Sequence, residues 1–197
     1  MPRFTHAELE SFRDAQVPDL LPRPGQRLRL LFVGINPGLW TAATQTHFAH
    51  PVNRFYPALL AGGVITRRID PAAGMTEDDR DHLRERGIGI SNLVHRATAK
   101  ASELTATELR AGGERLTALV EEQAPLVVAV AGITAYRTAF GLPRATMGPQ
   151  PTKLGPAELW VVPNPSGLNA HETVATLAEA YAAPARAAGL PDVRRGM

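Results

Sequence analysis

Leu28, Leu30, Leu31, Phe32 and Val33 form a dense apolar run closed by Gly34. That is the pattern of a strand buried on both faces of a parallel sheet. Similar runs at residues 126–131 and 159–162, and a short apolar segment at 88–94, predict three more strands. Between the runs the apolar period changes to that of helices. Residues 105–123 carry Leu109, Leu116, Leu119 and Val120 on one helical face, and Pro125 ends the segment. Thr76 and Asp79 have capping-box spacing for a helix running to Arg86 before Gly87. Asn53 can cap a helix through Leu60 that stops at Gly62 and Gly63, and 133–140 reads as a short helix. Residues 172–188 form a small-residue-rich helical segment interrupted by Pro184. Near the start, Leu9, Phe12 and Val17 mark a helical stripe over 7–15, after which Pro18, Pro22 and Pro24 enforce an extended lead-in.

Strands alternating with helical segments predict an α/β fold with a central, mostly parallel sheet. No break in composition divides the chain, so one domain over 1–197 is expected, with a core at about 28–188, a lead-in at 1–27 and a polar tail at 189–197. Turn-rich stretches fill 36–52 and 163–171, and a Gly/Pro-rich connection fills 142–156. In such folds ligands bind beyond the carboxyl ends of the strands. The loops after Val33 and Val162 occupy such ends, and the site is expected between them.

Composition narrows the chemistry. With 44% hydrophobic and 20% charged residues, the 197-residue chain has the make-up of a folded globular protein. No apolar run approaches the eighteen or so residues needed to span a bilayer, and charges appear from the N-terminus onward, so neither membrane insertion nor secretion is expected. The absence of cysteine removes disulfides, thiol nucleophiles and thiolate metal sites, which fits the cytoplasm. Twenty-one basic against nineteen acidic side chains do not by themselves announce a nucleic-acid binder. The basic residues are nearly all arginine, Lys100 and Lys153 excepted, a bias that carries little weight alone.

Three segments carry candidate chemistry. Gly34-Ile35-Asn36-Pro37-Gly38 turns sharply after the first predicted strand, either as a plain structural turn or as a site where backbone approaches a ligand closely. It lacks the lysine and spacing of a phosphate loop, and no GxGxxG occurs anywhere. The segment 46–55, Thr-His-Phe-Ala-His-Pro-Val-Asn-Arg-Phe, places aromatics in a loop entering a helix. Phe55 reads as core; Phe48 is either core or a platform for a flat base, an interaction worth ~1–3 kcal/mol. His47 and His50, with no carboxylate or thiol beside them, make a poor metal site, and no metal is expected. Asn164-Pro165-Ser166-Gly167-Leu168-Asn169 follows the last strand and holds an isolated leucine, which either packs back on the domain or serves as a wedge into a base stack. Hydrolase elbows, zincin motifs and zinc-deaminase signatures are missing.

Taken together and in this order, GINPG, FAHPVNRF and NPSGL resemble the mismatch-specific uracil/thymine-DNA glycosylases, over about residues 28–181. The resemblance implies the uracil-DNA-glycosylase fold, a three-layer α/β/α domain. It implies that Asn36 is catalytic and positions the attacking water, where many other uracil glycosylases use an aspartate. An amide orients water but is no strong base near pH 7, so slow turnover by stabilisation of a dissociating transition state is expected. By the same resemblance Phe48 stacks on the flipped base, Ile35 lines the pocket, and Asn164 bonds the base from the side opposite Asn36. Leu168 fills the vacated stack, with Ser166, Gly167 and Asn169 meeting DNA. Close bacterial relatives usually carry an arginine two residues after the wedge leucine; here Ala170 stands there, which puts strict opposite-guanine preference in question. The segment 91–98 also looks like a family block, without an assignable role.

The expectation is therefore a monofunctional DNA glycosylase of base excision repair, acting by base flipping on uracil, and by extension thymine or etheno-cytosine, mispaired with guanine in double-stranded DNA. The three motifs contain no lysine, which argues against a Schiff-base lyase step. No cofactor is expected, a monomer is the default state, and abasic-site repair enzymes are the natural downstream partners. The rival readings are a broad-specificity uracil-DNA glycosylase acting on single strands and any opposite base, and a non-catalytic lesion-binding module.

Overall fold

The computed structural model describes residues 4–196. β1 (Leu30–Gly34), β2 (Ile88–Asn92), β3 (Val127–Ala131), β4 (Gly148–Pro149) and β5 (Glu158–Val162) form one sheet in the order β2-β1-β3-β5-β4. β1 pairs in parallel with β2 and β3, β3 pairs in parallel with β5, and β4 lies antiparallel against β5. Every residue of β1, β2 and β3 is buried, which is why β1 and β3 read as unbroken apolar runs, while β2 ends in the buried polar pair Ser91 and Asn92.

The alternation of side chains along each strand sorts the core into two layers. Leu30, Phe32, Ile88, Ile90, Val127 and Ala129 point to one face, against α3 (Phe55–Ala61), α4 (Glu77–Glu85) and α7 (Val174–Ala187). Leu31, Val33, Val128, Val130 and Val161 point to the other, against α5 (Ala106–Gln123) and α6 (Ile133–Phe140). The result is helix, sheet, helix, as expected. Phe32, Phe55 and Tyr181 meet with ring centroids 5.2–5.7 Å apart, and the Tyr181 hydroxyl donates to the Pro163 carbonyl at 2.8 Å. That bond ties α7 to the segment leaving β5.

Several local expectations are corrected. A short helix, α2 (Leu39–Thr44), interrupts the stretch read as turns, and β4 lies within the connection read as irregular. α1 (His6–Glu10) ends well before Ala15. Asn53 does bond the first turn of α3, accepting from the Phe55 amide at 2.9 Å, although Arg54 occupies the cap position. Pro184 lies inside α7 without ending it. The C-terminal segment folds back on the domain: Leu190 is buried, and the Val193 amide donates to Gly63 O. Residues 1–3 of the lead-in and 197 of the tail lie outside the described residues. No helix among the described residues is long and apolar enough to cross a membrane.

Candidate active site

The chain leaves β1 for β2 on one side of the sheet and then crosses to β3 on the other, so the loops above β1 and β3 diverge. A cleft of about 580 Å³ opens there, lined by the turn after β1, Asn92 at the end of β2, Ala131 at the end of β3 and the loop after β5. The sequence places the site in this position.

Asn36 is fixed by its nitrogen. Nδ2 donates to the carbonyls of Pro37 and Arg96, each at 3.1 Å, and to the Thr98 hydroxyl at 2.8 Å. Thr98 in turn gives its proton to Lys100 O at 2.9 Å, so it can only accept from Asn36. Three acceptors around one end of the amide settle which end is nitrogen. Among the described residues no group donates to Oδ1, which is left as an acceptor on the cleft side. A neutral, oriented acceptor is what positioning a water molecule requires.

Asn92 is held by a different device. The Pro18 carbonyl can only accept, so the His47 Nε2 at 2.9 Å from it carries the proton. Nδ1 is then bare and accepts from Asn92 Nδ2 at 3.1 Å. Burial holds the His47 imidazole below its ordinary value, which favours this neutral form. Asn92 therefore presents Oδ1 and its second N–H at the cleft floor, beside Gly34. A Cβ at Gly34 would lie 2.5 Å from Asn92 Oδ1 and 3.2 Å from Phe48 Cζ. Only glycine permits this approach.

Phe48 has φ of 55°, a left-handed conformation that costs a bulky residue on the order of 1 kcal/mol or more. In that geometry one ring face stacks on Phe55, with centroids 4.1 Å apart and planes at 24°, and the ring also lines the cleft. Phe48 thus packs on the core through one face and lines the cleft as well. Ile35 reaches across the end of β3 and packs with the second core layer while lining the cleft.

The loop after β5 is shaped from within and from below. Asn164 Oδ1 accepts from the Ser166 amide at 3.0 Å, which leaves Nδ2 as the group Asn164 can offer the cleft. The Ser166 hydroxyl accepts from the Leu168 amide at 3.3 Å, and Asn169 Nδ2 donates to Asn164 O at 3.1 Å, so both side chains brace the loop. Beneath it the Arg54 guanidinium donates to the carbonyls of Ser166 (2.6 Å), Asn169 (2.8 Å) and Glu172. Leu168 stands at the crest, 89% exposed, with Gly167 beside it.

All eight residues singled out in the sequence, Ile35, Asn36, Phe48, Asn164, Ser166, Gly167, Leu168 and Asn169, therefore border one cleft. Asn92 and Thr98 lie in the 91–98 block and Arg54 in the FAHPVNRF motif, segments marked from the sequence in which these three residues have no role assigned. Lys100, outside the three motifs, also stands on the rim. Neither aspartate nor glutamate lines the cleft among the described residues; its polar lining is made of amides, hydroxyls, the His50 imidazole and backbone, with Lys100 at the rim.

An α/β domain with such a cleft at a switch point belongs to the class of α/β proteins that bind ligands beyond the carboxyl ends of their strands. Residues 23–184, which include every strand, match the uracil DNA glycosylase superfamily, and the chain belongs to that superfamily. Membership makes it a DNA glycosylase, a hydrolase of N-glycosyl bonds, and supports activity on uracil. The solution NMR structure of a candidate uracil DNA glycosylase from Methanosarcina acetivorans is similar in fold, with a TM-score of 0.57 at 15% identity over 88% of this chain and 98% of that one.

Proposed function

We propose that this protein removes uracil, and by extension thymine or etheno-cytosine, mispaired with guanine in double-stranded DNA, by flipping the nucleotide into the cleft. The observation that carries the reading is the fixed Asn36 amide, whose free oxygen faces a cleft that also holds an aromatic face and the amides of Asn92 and Asn164. The flipped base stacks on Phe48. Its N3–H and O4 edge matches the acceptor and donor of Asn92, and Asn164 Nδ2 donates toward the carbonyl oxygen that gains charge as the base leaves. The C1′–N1 bond breaks with its electron pair going to the base, and the water held by Asn36 adds to C1′ and loses a proton to solvent. With no carboxylate to act as base, dissociation leads and water capture follows. Flipping costs a few kcal/mol and least for a weak pair, and Leu168 fills the space left in the stack.

The test is single-turnover release of base from duplexes carrying G·U, A·U, G·T and G·etheno-cytosine, beside single-stranded uracil DNA, with Asn36→Ala as control. Cleavage confined to the guanine-paired duplexes and lost in the variant is expected. The exposed Ala170, which has no side chain to reach an opposite base, favours one competing outcome: cleavage of every uracil substrate, the mark of a broad-specificity enzyme. Binding without cleavage would leave a lesion-binding module.

A further inference from the structure

At the other end of the sheet, Arg29 leads into β1 and Arg86 and Gly87 lead into β2. These positions precede five-residue strands, about 17 Å from the cleft above at the usual rise per residue. A second cleft, of about 430 Å³, opens there, and Arg27, Arg29, Arg84 and Arg86 border it. Only Arg84 is neutralised, by Glu77 at 2.6 Å and Asp81 at 3.1 Å. Among the described residues no carboxylate lies within ion-pair distance of Arg27, Arg29 or Arg86; Glu85, on the rim, reaches none of them.

The cleft is built, and two of its arginines, Arg29 and Arg86, are held in place. Gly87 has φ of +71°, and a Cβ there would lie 2.8 Å from Arg29 Cγ and 2.9 Å from Arg27 O, so the glycine lets both arginine segments close over it. Arg29 Nη1 is steadied by Gly189 O at 3.1 Å, and Arg86 by Val64 O at 2.7 Å and Pro191 O at 3.0 Å. Backbone carbonyls occupy a few of the guanidinium donors and cancel none of the formal charge. A half-buried cation left uncompensated is unfavourable, and burial indeed lowers the Arg86 guanidinium from its ordinary value.

We propose that this cleft is a second binding site, for phosphate oxyanions. Planar guanidinium forks match tetrahedral oxyanions through paired charge-assisted bonds, and three of them around one cleft supply both charge and donors. Two sources carry this chemistry: free phosphate groups in solution, and the backbone of a nucleic-acid segment other than the one engaged at the catalytic cleft.

An amide-resolved NMR titration of the full chain with inorganic phosphate, at ionic strength held constant with chloride, tests it. Saturable shifts are expected at 26–29, 84–87 and 189–191, with Asn36, Asn92 and Leu168 unmoved. Arg27→Gln/Arg29→Gln should weaken phosphate about tenfold or more, as loss of charged hydrogen bonds predicts. Glu85→Gln, at an exposed position, should tighten it and serves if the double variant does not fold. A uracil-free duplex that displaces phosphate from these residues assigns the site to nucleic-acid backbone; failure to displace assigns it to free phosphate. Absence of saturable shifts at 26–29 and 84–87 in the wild-type chain overturns the proposal, as does unchanged affinity in a folded double variant or in Glu85→Gln.

Discussion

The Asn36 amide nitrogen lies 2.8 Å from the Thr98 hydroxyl, and that hydroxyl directs its own proton away, to Lys100 O. The pair is therefore one-directional, and Thr98 sets which end of the Asn36 amide faces the cleft. Thr98→Val should lower single-turnover uracil excision about tenfold, and Thr98→Ser should restore most of it, consistent with ~1–3 kcal/mol for a buried group deprived of its partner. Asn36→Ala should cost roughly 10²–10³, the range found when one oriented polar group is removed from a transition state. Asn36→Asp should also change the rate, because a carboxylate gains basicity but meets two carbonyls. A rate identical to wild type in both Asn36 variants would remove Asn36 from the mechanism.

Asn92 is predicted to read the base. Asn92→Leu keeps the volume, removes both polar groups and leaves His47 Nδ1 without its donor. Uracil excision should fall by about 10² or more, since a site built to hydrogen-bond its substrate discriminates strongly when that bonding is lost. The loss should appear on duplex and single-stranded uracil alike, which distinguishes base reading from strand separation. Retention of wild-type rates would show that the base does not use this edge of the cleft.

Leu168→Ala should weaken activity on duplexes more than on single strands, because a wedge is needed only where a stack must be opened. Equal losses on the two substrates would contradict that role.

Arg54→Lys should reproduce much of the Leu168→Ala phenotype without touching the wedge. An ammonium on a flexible stem cannot replace a planar fork bonded to three carbonyls. Activity on duplex should drop about tenfold with little change on single strands, and NMR order parameters over 165–172 should fall. Unaltered order across that loop would show that Arg54 is not its anchor.

Stability should decline below about pH 6.5. Burial depresses the folded-state value of His47 below the 6.5 of a free imidazole. The unfolded chain then takes up a proton first, so stability is full above about 6.5 and is lost as pH falls toward the folded value. Burial lowers His50 and His82 in the same direction. The informative quantity is therefore the difference between wild type and His47→Gln: the melting temperature of the variant should fall less steeply between pH 7 and 5. Parallel curves would mean that His47 titrates normally.

What could be read from the chain depended on distance along it. Asn36, Asn164 and Leu168 sit in compact polar turns directly after apolar runs, where a departure from the strand pattern is visible locally, and Phe48 stands out as an aromatic among polar loop residues. Asn92 and Thr98 are single polar residues in or just after an apolar segment, and their meaning comes from His47 and Asn36, 45 and 62 positions away. No local pattern encodes such a pairing. α2 escaped because six residues are too few for a period to emerge, and its cap, Gly38, offers no side-chain bond. β4 escaped because it is two residues long, one of them proline, and is defined only by its partner β5. The capping box at Thr76, by contrast, is a contact between near neighbours and formed as read.

Arg54 grips the loop after β5 by its carbonyls, which every residue type supplies alike. The loop is thus braced from within by Asn164, Ser166 and Asn169 and mounted from outside by one residue more than a hundred positions earlier. Position 168 and the exposed neighbour Ala170 can be exchanged without rebuilding the mount that holds them. On the function proposed above, this divides the inheritance of the site: a change at Arg54 should disturb everything the loop does, whereas changes at 168 and 170 should alter which opposite base is met and leave the chemistry below intact. A lineage could retune its substrate range here by single substitutions, and a library varied at 168 and 170 would sample that range in the laboratory.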